Sequence, residues 1–343
     1  MAKGEIMPYR VIVPLFLSTL AWGITTHIAH AGMAQTGSTG EDSAAEHAAD
    51  DRARAAASLV QPALIGLQRQ TEDKRTDPAA LHAIYEQNVG EYTEPDAWKT
   101  LDDDSLSALY QATQSLTFYT HDPDAARLLA ELSTELLERD VTVPLMGRDH
   151  SQLTYNHLLG ARLFDEAESF AEKHDEVVTP QSFELDRERL AQKRSEDGKV
   201  VMEINEADEV ALLEPRNIQI DDGQWLIVTS HPGCGFSREA MEYIDNNESL
   251  AAALPERSLW LAEQGALDNA QWLAEWNRGT PVTNLAVVDR NHDWPLEIEL
   301  GRTPVFYFLD NGEIVHKAYG WRDSEQAEEL HKGSELLARE NSD

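Results

Sequence analysis

A single cysteine in 343 residues rules out several architectures at once. Cys234 has no partner within the chain, so no internal disulfide can staple the fold. No cysteine lies near the N-terminus to be acylated as a lipoprotein anchor. Positive charge is also scarce: 28 Lys and Arg stand against 62 Asp and Glu, a net charge of -34 at pH 7. Such a surface repels phosphate backbones and anionic headgroups, which excludes nucleic acid and charged lipid as partners. It reads instead as a solubility coat suited to salty surroundings, where self-repulsion is screened. The 12 histidines are scattered without metal-ligand spacing, and neither a nucleotide-binding glycine loop nor a serine-hydrolase elbow is visible. No cofactor and no metal are therefore expected.

What is present is 41% hydrophobic residues, enough to bury real cores, in a chain long enough for two modest domains. Residues 1–31 have the form of an export signal. Lys3 and Arg10 flank a polar start, Val11 to Ile24 is an apolar core of 14 residues, and Ala29-His30-Ala31 has the small-x-small pattern of a signal-peptidase site. That core is short of the roughly 20 residues a bilayer span needs, so cleavage and a periplasmic location are expected. Extension through Thr25 to Ala31 would instead leave an uncleaved membrane tether. Export would place Cys234 in an oxidising compartment.

Residues 32–50 are small, polar and acidic and read as a flexible spacer. Residues 51–180 carry helical signals throughout. Asp77-Pro78 opens a helix that runs to about Val89, Asp104-Ser105 opens one to about Tyr119, and Asp122-Pro123 opens a third through Leu129, Leu132 and Leu136. His150 to Gly160 and Leu163 to His174 give a fourth and a fifth. Short connectors imply antiparallel pairs, a helical-hairpin domain. Residues 181–197 are charged and read as a helix or linker. From residue 198 to 343 strands and helices alternate: Lys199 to Ile204, Val210 to Leu213, Trp225 to Val228, Ser258 to Ala262 and Thr283 to Val288 read as strands. Leu267 to Asn277 reads as a helix with Trp272 and Trp276 one turn apart, taken as packing residues. Val305 to Leu309 and Glu313 to Val315 are joined by Asn311-Gly312, a tight hairpin signal, and a last helix spans about Ser324 to Arg339.

The chemistry concentrates in Trp225-Leu-Ile-Val-Thr-Ser-His231-Pro-Gly-Cys234-Gly-Phe-Ser237. A buried strand runs into a turn, and the thiol falls in the first turn of an amphipathic helix. Unpaired N–H groups there carry partial positive charge, which stabilises a thiolate and lowers its pKa. Ser237 is one helical turn away and either hydrogen-bonds the sulfur or caps the helix. His231 is either a nearby imidazolium that lowers the thiol pKa further or an exposed turn residue. Pro232 fixes the turn and Gly233 allows close approach.

Cys234 at a helix start, followed by Thr303-Pro304 leading into a hairpin and then Gly320, resembles the thioredoxin-like family over about residues 198–340. The resemblance implies an α/β domain with a central mixed sheet flanked by helices, preceded here by the all-α domain. It also implies a cis Thr303–Pro304 bond beside the sulfur, with Thr303 offering backbone groups to an extended substrate. Pro304 follows Cys234 by 70 residues, a spacing similar to exported thioredoxin-like thiol reductases with an insertion between the central strands. The chain departs from the family pattern twice. Ser237 replaces the resolving cysteine, and Val228 stands where many members keep a buried acid. Cys-Gly-Phe-Ser also spells the motif of monothiol glutaredoxins. Gly160 to Ala167 resembles the middle of a tetratricopeptide repeat, with Asp124-Ala125-Ala126 echoing Asp165-Glu166-Ala167 at a 41-residue offset; a generic helical hairpin is the alternative. Two functions follow. One is a monothiol protein whose Cys234 forms mixed disulfides with a thiol- or disulfide-bearing protein, resolved by an external small thiol. The other is a non-catalytic binding module whose helical domain recruits a protein partner.

Overall fold

The computed structural model describes residues 50–340, apart from 59, 61–77, 95–96, 144, 146–148, 208–209, 232, 255–256, 281, 296 and 322–323. The expected export signal, all but the last residue of the spacer, the Asp77 cap and the Pro232 turn lie outside the described residues. All described residues fall in one compact unit, Ala44–Asp343.

Helices α1 (residues 50–58), α2 (Pro78–Val89), α3 (Asp103–Thr120), α4 (Pro123–Glu138), α5 (His150–Gly160) and α6 (Phe164–Lys173) form the N-terminal region. Their starts are written in aspartates. The side chains of Asp102, Asp122 and Asp149 accept the N–H groups of Ser105, Ala125 and Ser151, each at 2.8 Å. Pro123 occupies the first turn of α4, where its missing donor costs nothing. His121 closes α3 in the left-handed region at φ 50°, and Asp122 then caps α4, so the two helices turn back on each other. Buried tyrosines lock the stack: the Tyr110 hydroxyl donates to the His150 carbonyl at 2.7 Å, and the Tyr85 hydroxyl bonds Thr113 at 2.7 Å.

The C-terminal region is a mixed sheet of 8 strands in the order β1-β3-β2-β6-β5-β4-β7-β8. The strands are β1 (Phe183–Leu185), β2 (Lys199–Ala207), β3 (Val210–Ile218), β4 (Gln224–Thr229), β5 (Ser258–Ala262), β6 (Leu285–Val288), β7 (Val305–Asp310) and β8 (Glu313–Tyr319). Helices α7 (Arg187–Arg194), α8 (Gly235–Asp245), α9 (Glu248–Ala253), α10 (Ala270–Gly279) and α11 (Ser324–Glu340) complete it. Residues 181–197 hold the helix that the sequence offered as the alternative to a linker, preceded by a short strand. Phe183 and Leu185 pack partly buried against the core while β1 adds a parallel edge to β3, and Asp186 caps α7 through the Arg189 N–H at 2.9 Å. A three-residue strand inside a charged stretch carries too little alternation to be read from the sequence.

Strands β4, β5 and β6 are parallel, which puts their C-terminal ends at one edge of the sheet. Both faces of this centre are buried, as their continuous apolar runs require. One face packs under Ala240, Met241, Ile244 and Leu273; the other lies under Trp294, Ile298 and Leu300. Asn311 and Gly312 at φ 48° and 84° close the β7–β8 hairpin with the twist such turns demand. Gly333 lets α11 lie on Phe308, because a Cβ there would sit 2.4 Å from that ring.

Of the two regions expected as separate domains, α1–α4 enclose an apolar cluster of their own, while α5 and α6 share a core with the sheet. Tyr155, Leu158, Leu159, Phe164 and Ala167 of the helices belong to the same apolar cluster as Val200, Met202, Leu226 and Val228 of the sheet. A polar knot ties them further. Asp289, fully buried just past β6, takes a two-pronged contact from Arg194 at 2.7 and 2.9 Å. Arg162, in the α5–α6 turn at φ 63°, approaches the same carboxylate at 3.5 Å and donates to the carbonyls of Val288 and Asp289 at 2.7 and 3.0 Å. Removing one partner from a buried ion pair leaves an uncompensated charge, which typically costs about 3–5 kcal/mol. Asp289→Ala should lower the unfolding free energy by an amount on that order in urea titrations. A loss below about 1 kcal/mol would mean that the knot is relaxed or hydrated rather than buried.

Candidate functional site

Cys234 is the N-cap residue of α8, at φ -82° and ψ 120°, directly beyond β4. The turn that delivers it is short and bonded at both ends. The Cys234 N–H donates to the His231 carbonyl at 2.9 Å, and the Arg238 N–H donates to the Cys234 carbonyl at 3.1 Å. The sulfur is partly buried, 3.5 Å from the Thr303 carbonyl that its S–H faces. Thr303–Pro304 is a cis peptide bond and Pro304 is buried at the start of β7. Two contacts hold this segment: at the end of β4 the Thr229 hydroxyl donates to the Arg302 carbonyl at 2.6 Å, and just past β8 the Gly320 N–H donates to the Pro304 carbonyl at 2.9 Å. On its outer side the buried Glu299 binds Lys317 at 2.5 Å, Tyr319 at 3.2 Å and Arg302 at 3.3 Å. Burial works upward on the Glu299 carboxyl, but contact with Lys317 outweighs it and holds the group below the usual carboxylate range.

Of the residues singled out from sequence, Cys234, His231 and Thr303 line one small cavity of about 210 Å3, together with Ser230, Glu263, Leu300 and Gly301. Ser237 and Pro304 are not among the residues that line it. Ser237 is fully buried, and its Oγ accepts the His231 N–H at 3.4 Å, so it fastens the turn as well as facing the sulfur. His231 is half-buried rather than exposed. Burial pushes its pKa down, its Nδ1 accepts the Gly233 N–H at 3.0 Å, and its ring lies 6.0 Å from that of Trp272. Trp272 is likewise not a packing residue: it is 37% exposed beside the turn, whereas Trp276 packs on the core. Phe236, 52% exposed, presents a second aromatic ring two residues beyond the thiol.

The electrostatics favour the thiolate. Burial raises the Cys234 pKa, but the Ser237 N–H, the Thr303 and Ser237 side chains and the Phe236 N–H outweigh it, and the thiol sits below its ordinary value. This is the unpaired-donor effect of a helix start acting without help from a cation. Glu263 escaped the sequence reading. It directly follows β5, at the same sheet edge as the cysteine, and burial first and then Asp268 raise its pKa. The findable signal was positional, since residues just past the ends of parallel strands gather at one crevice. Among the described residues no group of His, Cys, Asp or Glu is placed to hold a metal ion, and no helix is long and apolar enough to cross a membrane.

No protein-family model matches the chain, and neither a curated protein nor a solved structure is similar to it.

The depressed thiol pKa carries a sign. Between the native value and the free-thiol value of about 8.5, the native chain is deprotonated and the unfolded chain protonated. Stability therefore rises with pH across that window and this contribution is lost as pH falls through the native value. Ser237→Ala removes one of the groups that lower the pKa, so the thiolate ultraviolet titration of Cys234 should move upward; an unchanged or lower midpoint contradicts the assignment. Two buried histidines carry the other sign-bearing shift. Burial, then the charges of His157 and Arg162, push His121 down to about 3, and burial pushes His157 down to about 4. Unfolded histidines take up protons near pH 6.5, so this pair withdraws stability as pH falls below about 6.5. In NMR titrations both rings should still show neutral-tautomer nitrogen shifts at about pH 5, well below the ordinary histidine midpoint; protonation by that point would contradict their burial.

Proposed function

We propose that this is a monothiol, thioredoxin-like protein in which Cys234 exchanges disulfides with a protein substrate. The observation that carries the reading is the meeting of Cys234, at the start of α8, with the Thr303 carbonyl 3.5 Å away across a cis Thr303–Pro304 bond. The topology supports it. The strand before the cysteine, β4, has β5 parallel on one side and the proline-led β7 antiparallel on the other, with β8 at the edge. The long interval between Cys234 and Pro304 holds α10 and β6, an insertion within the central sheet.

In the proposed reaction the Cys234 thiolate attacks one sulfur of a substrate disulfide. The Sγ–S bond forms as the substrate S–S bond breaks, and the leaving thiolate takes the electron pair and then a proton from water. An extended substrate segment would lie along Thr303, whose backbone faces the sulfur, with Phe236 and Trp272 giving apolar contact on the open side. The mixed disulfide then persists, because Ser237 offers a hydroxyl where exchange needs a thiolate. An external thiolate that attacks the substrate sulfur forms a new S–S bond to it and releases the Cys234 thiolate; one that attacks Sγ frees the substrate thiolate and stays on Cys234 until a second external thiolate displaces it. The acid absent at Val228, which is fully buried, has no task when there is no second thiol to deprotonate. An exported chain would meet disulfide substrates in an oxidising compartment.

A cysteine peptide carrying an activated disulfide should be captured as a Cys234 adduct that survives denaturation and is released by dithiothreitol. Cys234→Ser should capture none. Ser237→Cys should release the peptide and close an internal disulfide, because residues one helical turn apart bring their side chains together. A wild-type chain that captures no peptide, or a Ser237→Cys chain that retains it, contradicts the proposal.

A further inference from the structure

We infer that the large cavity beside Cys234 binds the carboxylate end of a small thiol or disulfide compound and presents that compound's sulfur to the cysteine. The inference rests on the thiol-exchange reading and names the class of its external thiol.

The cavity is about 1000 Å3 and lies between the α3–α4 and α5–α6 turns and the residues that follow β5 and β6. It shares Glu263, Leu300 and Gly301 with the small cavity that holds Cys234 and Thr303, so the two adjoin. Its size lies at the upper end of the range of roughly 300–1,000 Å3 for small-molecule sites. Its lining carries four arginines, Arg127, Arg162, Arg194 and Arg290, against three acids, Asp122, Asp124 and Glu263, in a chain where Lys and Arg number 28 against 62 Asp and Glu. Arg162, Arg194 and Arg290 converge on the single carboxylate of Asp289, at 3.5, 2.7 and 4.0 Å. Three guanidinium groups on one buried carboxylate leave an excess of positive charge at the wall, in a chain of net charge -34.

The arginines are not equivalent. Arg162 is buried and spends its donors on backbone carbonyls, while Arg194 grips Asp289 through two donors. The Arg290 side chain is 43% exposed and its one ion pair among the described residues spans 4.0 Å. Its planar fork suits a carboxylate with two parallel hydrogen bonds. The acids in the cavity are engaged elsewhere or set apart. Asp122 caps α4, Asp124 pairs with Arg127 at 2.9 Å, and Glu263 stands at the passage toward Cys234 with its pKa raised by burial. A polar compound carrying carboxylates at one end and sulfur at the other spans the two cavities. Attack by the Cys234 thiolate on its disulfide forms the Sγ–S bond, breaks the S–S bond and releases one thiolate, which takes a proton from water. The reverse exchange regenerates Cys234.

S-Methylglutathione, which carries carboxylates but cannot exchange, tests the pocket apart from the thiol. By calorimetry it should bind the wild-type chain, and Arg290→Ala should weaken it about tenfold, the loss expected of one charge-assisted hydrogen-bonded pair. Arg290→Glu, which reverses the charge at a half-exposed position, should weaken it further. In parallel, mass spectrometry follows mixed-disulfide formation at Cys234 with oxidised glutathione and with cystamine, which lacks carboxylates. The ratio of the two rates should fall about tenfold in Arg290→Ala. No binding of S-methylglutathione to the wild-type chain, or affinity and rate ratio both indifferent to Arg290, overturns the inference. Arg290-dependent binding beside a Cys234 that reacts with neither disulfide supports the pocket and defeats the exchange reading alone.

Discussion

The buried carboxylate of Asp289 is the constraint around which the rest of this structure is arranged. It stands just past β6, and the two arginines that neutralise it come from the α5–α6 turn and from α7. One side chain therefore fixes the helical layer against the edge of the sheet where the parallel strands end. Buried ion pairs seldom add much stability relative to apolar packing, but losing one partner is costly, so such a pair specifies a unique arrangement. Apolar packing alone would tolerate some sliding of α5 and α6 over the sheet. The Arg162 donors, aimed at the Val288 and Asp289 carbonyls, do not. The same convergence places Arg162, Arg194 and Arg290 along the wall of one cavity at the joint between the two regions.

The cysteine depends on that edge. Its lowered pKa comes from backbone and hydroxyl donors at the head of α8 rather than from a charged neighbour, since burial lowers the His231 pKa and its Nδ1 accepts the Gly233 N–H. Donors fixed by secondary structure need no reorganisation when the thiolate forms. Ser237 serves both the sulfur and the turn, which explains a hydroxyl in that buried position: an alanine there would leave the His231 N–H without its acceptor. In the proposed reaction the chain supplies the first half of disulfide exchange, nucleophilic attack, and has no second cysteine for an internal second half. On that reading an external thiol has to reach the sulfur, and the arginine-lined cavity is the route inferred for it on a chain whose overall charge would repel an anion.

Much of this was legible in the sequence for identifiable reasons. Helix starts were marked by Asp122-Pro123 and by aspartates before amphipathic runs, and the β7–β8 hairpin by Asn311-Gly312. Cys234, Ser237 and Thr303 were found because strand, turn, helix and proline follow one another in a fixed order. What escaped depends on contacts distant in sequence. Nothing around Arg162, Arg194 and Asp289 announces that they meet, because 127 residues separate the first and last. The β1 edge was invisible in three residues, and Trp272 was misread because helical spacing alone does not say which face a lone ring takes. Glu263 and Arg290 share the same failing: each is an ordinary charged residue until the parallel strands bring their ends together.

The central claim is that the fold activates Cys234. The most direct test compares the native chain with the same chain unfolded in urea, measuring the second-order rate of iodoacetamide alkylation at Cys234 near neutral pH. A thiol held below its ordinary pKa and open to the small cavity should react faster in the native state, by a factor that shrinks as pH rises past the free-thiol value of about 8.5. A native rate equal to or below the unfolded one would contradict the account and leave Cys234 as a partly buried side chain without chemistry.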